Sequence, residues 1–242
     1  MIDVHAHWFP PALVSEFASH GLKVWPAHPE SLSSRADELG ADGFSSQVLG
    51  LGHNQPYLPD AAAALRCAQF ANDLYADVVG GPFAAFGTVP LPHPESSASE
   101  AVRCLDDLGF AGIGVGTTAL DASLDDPRFD ELWSELDSRA AVVFVHPVGV
   151  QVTGLDAFFM GPKHGGPLES TIAATRLVVS GVTRRFPRIR WIVSPMGGAL
   201  GFLWRRFEEM TQSLGHDEWL ATDPARNSRN STTTRHCRTT PR

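Results

Sequence analysis

Six short apolar runs, each followed by a stretch of helical periodicity, restrict this chain to few folds. The runs cover residues 2–4, 46–51, 83–89, 111–115, 141–145 and 190–194, the fifth (AVVFV) being rich in β-branched residues. The intervening segments 61–79, 94–108, 127–136, 168–186 and 200–214 repeat apolar residues at helical spacing. In 94–108, Ala98, Ala101, Val102 and Leu105 fall toward one face. Asp125-Asp126 ahead of Pro127 gives a helix start, with a carboxylate at the cap and proline in the first turn. Strand–helix alternation predicts a parallel sheet with crossover helices. Six such units favour a (β/α) barrel over an open sheet.

The first run ends in a His-x-His pair, His5 and His7 in MIDVHAHWFP. On a strand, residues i and i+2 share a face, so both imidazoles would point the same way and could share a metal ion. The fifth run ends VFVHP, which puts His146 at a strand C-terminus. In an α/β barrel the C-terminal strand ends form the active-site rim, so His5, His7 and His146 would converge there as metal ligands. The alternative is that His146 packs beside Pro147 without a ligand role. Gly197-Gly198 could present backbone N–H groups to an anion, or could form only a tight strand-to-helix turn. His164 sits in the loop MGPKHGG with Lys163 and is a candidate contact for an anionic substrate. His20, His28, His53, His93 and His216 fall in loop-like contexts and read as solvated; Arg35 and Arg176 are candidate carboxylate contacts, although arginines on helices are usually solvated.

Composition narrows the function classes. The net charge is −8, but residues 223–242 hold five arginines and one acid, so the body before them carries −12. An acidic body argues against nucleic-acid binding. Three scattered cysteines make no disulfide framework and fit a reduced cytoplasmic setting. No signal peptide and no membrane-length apolar run is recognisable.

The motifs IDVHAHWFP, QFANDLYADVV, FAAFGTVPL, LGFAGIGVGT, LDDPRFDELWSEL, FVHPVG, ESTIAATRLVVSGVTRRFPRIRWIVS and GGALGFL, in that order, resemble the amidohydrolase-related (amidohydrolase 2) family. That family includes aminocarboxymuconate semialdehyde decarboxylase and γ-resorcylate decarboxylase. The resemblance implies a (β/α)8 TIM barrel with one divalent metal, zinc or manganese, for which His5, His7 and His146 match the ligands. It implies a metal-dependent decarboxylase-like lyase acting on a small unsaturated or aromatic carboxylic acid. The alternatives are a metal-dependent hydrolase, or an inactive relative that binds or assembles only. Zinc is the expected metal, and a cytoplasmic homo-oligomer the expected assembly.

Two features depart from the family pattern. The family reads Ser-His-x-Gly-Gly after the sixth strand, with the histidine in proton transfer. Here the stretch is Ser194-Pro195-Met196-Gly197-Gly198, and proline cannot shuttle a proton. The family also continues into two further strands with a metal-binding Asp, and no such segment is recognisable here. Asp223 in ATDPAR has no apolar strand before it. The expectation is therefore an incomplete barrel over 1–222, strands one to six present and seven and eight not recognisable. Residues 223–242 would form a disordered or frameshifted tail, since Cys237 is the one hydrophobic residue in 227–242.

Overall fold

A computed structural model describes residues 1–22, 24, 32–149 and 152–215. Six strands lie parallel in one sheet: β1 (Ile2–His7), β2 (Ser46–Gly50), β3 (Phe83–Thr88), β4 (Gly112–Gly116), β7 (Val142–His146) and β8 (Arg190–Val193). They pair in that order. Between β4 and β7 the chain makes a small antiparallel hairpin, β5 (Thr118–Ala119) with β6 (Ala122–Ser123). β1 and β8 are the ends of the pairing order, yet the Ser194 hydroxyl beyond β8 lies 2.9 Å from the His5 ring in β1. The sheet therefore curls round far enough for side chains at its two ends to touch beyond the C-terminal ends of the strands, although β1 and β8 do not pair. This is six strands of a (β/α)8 barrel wall.

Helices follow the strands, as a parallel sheet requires. α1 (Pro11–Ser19) and α2 (Leu32–Ala41) come after β1, α3 (Ala61–Ala76) after β2 and α4 (Pro94–Val102) after β3. α5 (Asp130–Ser138) precedes β7, α6 (Gly166–Val179) and α7 (Val182–Arg185) precede β8, and α8 (Leu200–Ser213) follows it. Asp126 caps the turn before α5 by accepting from the Arg128 N–H at 2.9 Å, as the Asp-Asp-Pro stretch predicts. The single helix expected over 168–186 is two, because Gly181 takes φ +81° between α6 and α7. α4 widens into a π-helical turn at Arg103–Asp107 rather than running on to 108. No helix among the described residues is long and apolar enough to cross a membrane.

Side-chain alternation sets one cluster inside the curl apart from two outside it, the smaller of which is Ala6, Leu39, Leu49 and Phe83. Val142 and Phe144 of β7 face the inside of the curl with Val48, Phe86 and Ile192. Val143 and Val145 face outward into the larger core under the helices, where Trp133 of α5 is fully buried against Trp191 of β8. The inner cluster is the apolar floor on which the strand-end histidines stand. His28, His216, Asp223 and the expected tail lie outside the described residues.

Candidate functional site

His5, His7 and His146 come together at the mouth of the curl. Their three ring centroids are 5.0 Å apart pairwise, and one ligand nitrogen from each lies within 4.8 Å of the others. The rings rest on the floor below, His5 edge-on to Phe144 at 5.4 Å and Phe144 stacked on Phe86 at 5.1 Å. The β1–β2 pairing shifts register between Asp3 and Ala6, at the segment carrying His5. There Asp3 accepts from the His5 backbone N–H at 3.0 Å and from the Gln47 amide at 2.8 Å.

Each ring is held through Nδ1. His7 Nδ1 is 3.0 Å from the Gly50 carbonyl, and His146 Nδ1 is 2.7 Å from the Pro147 carbonyl. A carbonyl only accepts, so both rings carry their proton on Nδ1 and present a lone pair at Nε2. His5 Nδ1 is 2.9 Å from the Ser194 hydroxyl, which can donate or accept and so anchors the third ring in either tautomer. His5 Nε2 and His146 Nε2 are then 3.1 Å apart. A proton on His5 Nε2, with the Ser194 hydroxyl donating to Nδ1, bridges that gap in the metal-free protein, and a cation between the two nitrogens would take its place. Tetrahedral zinc with Zn–N near 2.0–2.1 Å would hold its nitrogens about 3.3 Å apart. The donor set therefore suits a divalent cation, with positions left over for substrate or water.

The surroundings keep the His146 ring neutral. Burial, with His7 and His5 alongside, holds His146 well below the usual imidazole value. A neutral imidazole is the form that ligates.

A fourth ring stands beside these three. His53 follows β2, half-buried, its centroid 6.2 Å from His146 and 6.3 Å from Phe9. Burial and the neighbouring His7 lower its pKa to about 4. Sequence reasoning read His53 as solvated, because LGHNQP looks like an ordinary polar loop. Asn54 next to it is buried, and neither atom of its side-chain amide is hydrogen-bonded among the described residues. The loop also carries Gly52, at φ +58°, where a Cβ would sit 2.4 Å from the His7 ring. A buried polar chain holds this loop in place. Gln55 donates to the Gly52 carbonyl at 2.8 Å and accepts from Thr88 at 2.8 Å, and Asn72 brackets the Thr88 backbone and donates to Glu100 at 2.7 Å.

Other sequence candidates lie elsewhere. Arg35 donates to the His7 carbonyl at 2.9 Å, which places it behind β1 as a support and not as a solvated side chain. Arg176 pairs with Asp125 at 2.8 Å. His164 is exposed in the π-helical turn Gly161–Gly165 ahead of α6. His93 contacts the Leu58 carbonyl at 2.8 Å, and His20 contacts Glu16 at 3.3 Å, so neither is simply solvated. The Gly197-Gly198 stretch is a tight turn. Both N–H groups bond to nearby carbonyls, of Val193 and Pro195, and a Cβ on Gly198 would strike α6 at Pro167 and Thr171.

A family model described as Amidohydrolase matches residues 2–219. The 2-amino-3-carboxymuconate-6-semialdehyde decarboxylase of Dictyostelium discoideum is 32% identical over 181 residues, covering 72% of this chain and 50% of that protein. The γ-resorcylate decarboxylase of Rhizobium sp. (strain MTP-10005) is 29% identical over 192 residues, covering 71% and 58%. The chain thus spans little more than half the length of these curated relatives. Among solved structures, 5-carboxyvanillate decarboxylase LigW from Sphingomonas paucimobilis aligns with TM-score 0.82 at 22% identity, over 96% of this chain and 79% of that one. A dihydroxybenzoic acid decarboxylase from Polaromonas sp. JS666, with bound manganese and 2-nitroresorcinol, aligns at 0.73 and 21% identity, over 92% and 71%. These structural likenesses establish the barrel fold.

Proposed function

Because the chain belongs to the amidohydrolase family, we propose that it is a metal-dependent, non-oxidative decarboxylase of a small aromatic or unsaturated carboxylic acid. His5, His7 and His146 are its metal ligands in this reading. The observation that carries it is the convergence of one ligand nitrogen from each of three imidazoles, every ring being anchored through Nδ1. Imidazole donors suit zinc, and the manganese in the Polaromonas neighbour makes Mn2+ the other candidate. Such a cation would hold and polarise the substrate carboxylate and an adjacent oxygen.

Loss of CO2 replaces a C–C bond by a C–H bond, so the carbon must receive a proton. Pro195 has none to give. His53 takes that role in our reading, since among the described residues it is the remaining imidazole packed against the cluster. It is neutral at pH 7, but a substrate carboxylate beside it would favour the charged ring, which then carries the proton. Asn54 offers an amide to a substrate oxygen, and His164 is the candidate outer contact for the carboxylate. The exposed apolar side chains Phe202, Met210 and Leu214 on and after α8 support the homo-oligomer expected from the sequence, which light scattering would detect.

The test is CO2 release by the metal-loaded full chain from 2,6-dihydroxybenzoate and 5-carboxyvanillate, beside ester and lactone hydrolysis. CO2 release that stops in His146→Ala is the expected result. Hydrolysis without CO2 release would replace the lyase by a hydrolase, and neither activity in a folded, metal-loaded protein would leave an inactive relative.

A further inference from the structure

A second group of metal-ligating side chains lies away from the strand ends, between α1 and α3. Glu16 and its i+4 neighbour His20 project from the last turn of α1, and Cys67 faces them from α3. Glu16 Oε1 is 3.3 Å from His20 Nε2, and one carboxylate oxygen of Glu16, one ring nitrogen of His20 and Cys67 Sγ all lie within 4.8 Å of one another. The framework beneath is rigid, since Leu13 and Phe17 of α1 are buried in the same core cluster as Cys67 and Ala71 of α3. Cys67 itself is fully buried, whereas the side chains of His20 and Glu16 are 25% and 34% exposed. The group thus has a sulfur at its base and an opening to water.

We propose that Glu16, His20 and Cys67 form a second divalent-cation site, selective for zinc, which clamps α1 onto α3. It shares no ligand with the histidine cluster and does not rest on the decarboxylase reading. Thiolate, imidazole and carboxylate together select a borderline-soft ion over magnesium or calcium. Tetrahedral coordination would set the ligand atoms about 3.3–3.6 Å apart, so closing the site takes side-chain shifts of about 1 Å. On binding, the Cys67 S–H bond breaks, the sulfur keeps the electron pair and bonds the cation, and the proton leaves to solvent. Burial and the Glu16 carboxylate push this thiol up to about 11, so the cation supplies the charge that a buried thiolate there lacks. Affinity should accordingly rise with pH.

Cobalt distinguishes this site from the mouth. A thiolate ligand gives Co2+ a strong near-ultraviolet charge-transfer band, and a three-histidine site has no sulfur to produce one. The full chain, kept reduced, is titrated with Co2+. The expected result is a charge-transfer band that saturates by about two equivalents, the histidine mouth taking up the other, is displaced by Zn2+, and is retained in Cys104→Ser and Cys237→Ser. It should disappear in Cys67→Ser, and Glu16→Gln/His20→Gln should weaken it by about tenfold or more. The double variant alters half-exposed side chains, so it keeps the test open if Cys67→Ser fails to fold. No band in the unaltered chain, or a band unchanged in either folded variant, would overturn the proposal.

Discussion

The three mouth histidines differ from an arbitrary trio because each has its far nitrogen anchored, and the anchors make specific predictions. Ser194→Ala removes the His5 anchor and should lower metal affinity at the mouth about 10- to 100-fold, read by competition with a chelator. The fold should persist, since only one hydroxyl is lost. Gly52→Ala should be at least as damaging, because its Cβ would displace the His7 ring and its φ of +58° disfavours a side chain. Acid should weaken the protein in a defined window. His146 and His53 have folded pKa values below the unfolded value near 6.5, so as pH falls below 6.5 the unfolded chain takes up protons that the folded one refuses. Urea midpoints of the metal-free protein should therefore drop between pH 7 and 5, and His53→Gln should flatten part of the drop; a midpoint independent of pH would contradict this. His5, His7 and His146 were legible because period-two spacing and strand-end position are local signals. His53 was not, since its burial is decided by the curl of β1 and β7 over the loop after β2, and nothing local records it.

At the scale of elements, the six strands are legible to within a few residues, because apolar runs bounded by glycine and proline have few other uses. The helices are less so. The break at Gly181 hides inside an apolar stretch, and α1 is too short for its two buried residues, Leu13 and Phe17, to make a convincing period. Glu169 of α6 shows how elements are tied near the site. Its carboxylate accepts from the Thr117 hydroxyl at 2.8 Å and from the Val148 and Gly149 N–H groups at 3.0 and 3.1 Å. It thereby joins the segment after β4 and the segment after His146 to one helix. Glu169→Ala would leave those donors without this acceptor in a buried place and should cost about 2–4 kcal/mol in chemical denaturation. It should also reduce metal affinity at the mouth, because Pro147, whose carbonyl orients His146, lies on the released segment.

Over the whole molecule, stability and chemistry occupy different layers. The large core lies between sheet and helices, and the histidines stand inside the curl on a small floor of Val48, Phe86 and Phe144. Trp133→Ala, in the outer core, should cost about 3–5 kcal/mol while leaving metal affinity of the folded fraction unchanged. Phe144→Ala should do the reverse in emphasis, loosening His5 more than the fold. The curl, through Ser194 and His5, joins residues 189 positions apart. The alternation of strands and helices predicts a barrel, but which side chains meet across its mouth emerges only when the sheet has curled.

The central claim is that His5, His7 and His146 hold a divalent cation. The direct measurement is elemental analysis of the full chain purified without chelator, beside His5→Ala/His7→Ala prepared identically and shown to be folded. The account predicts that the variant carries about one equivalent less zinc or manganese per chain than the unaltered protein. Equal metal content in the two would contradict it.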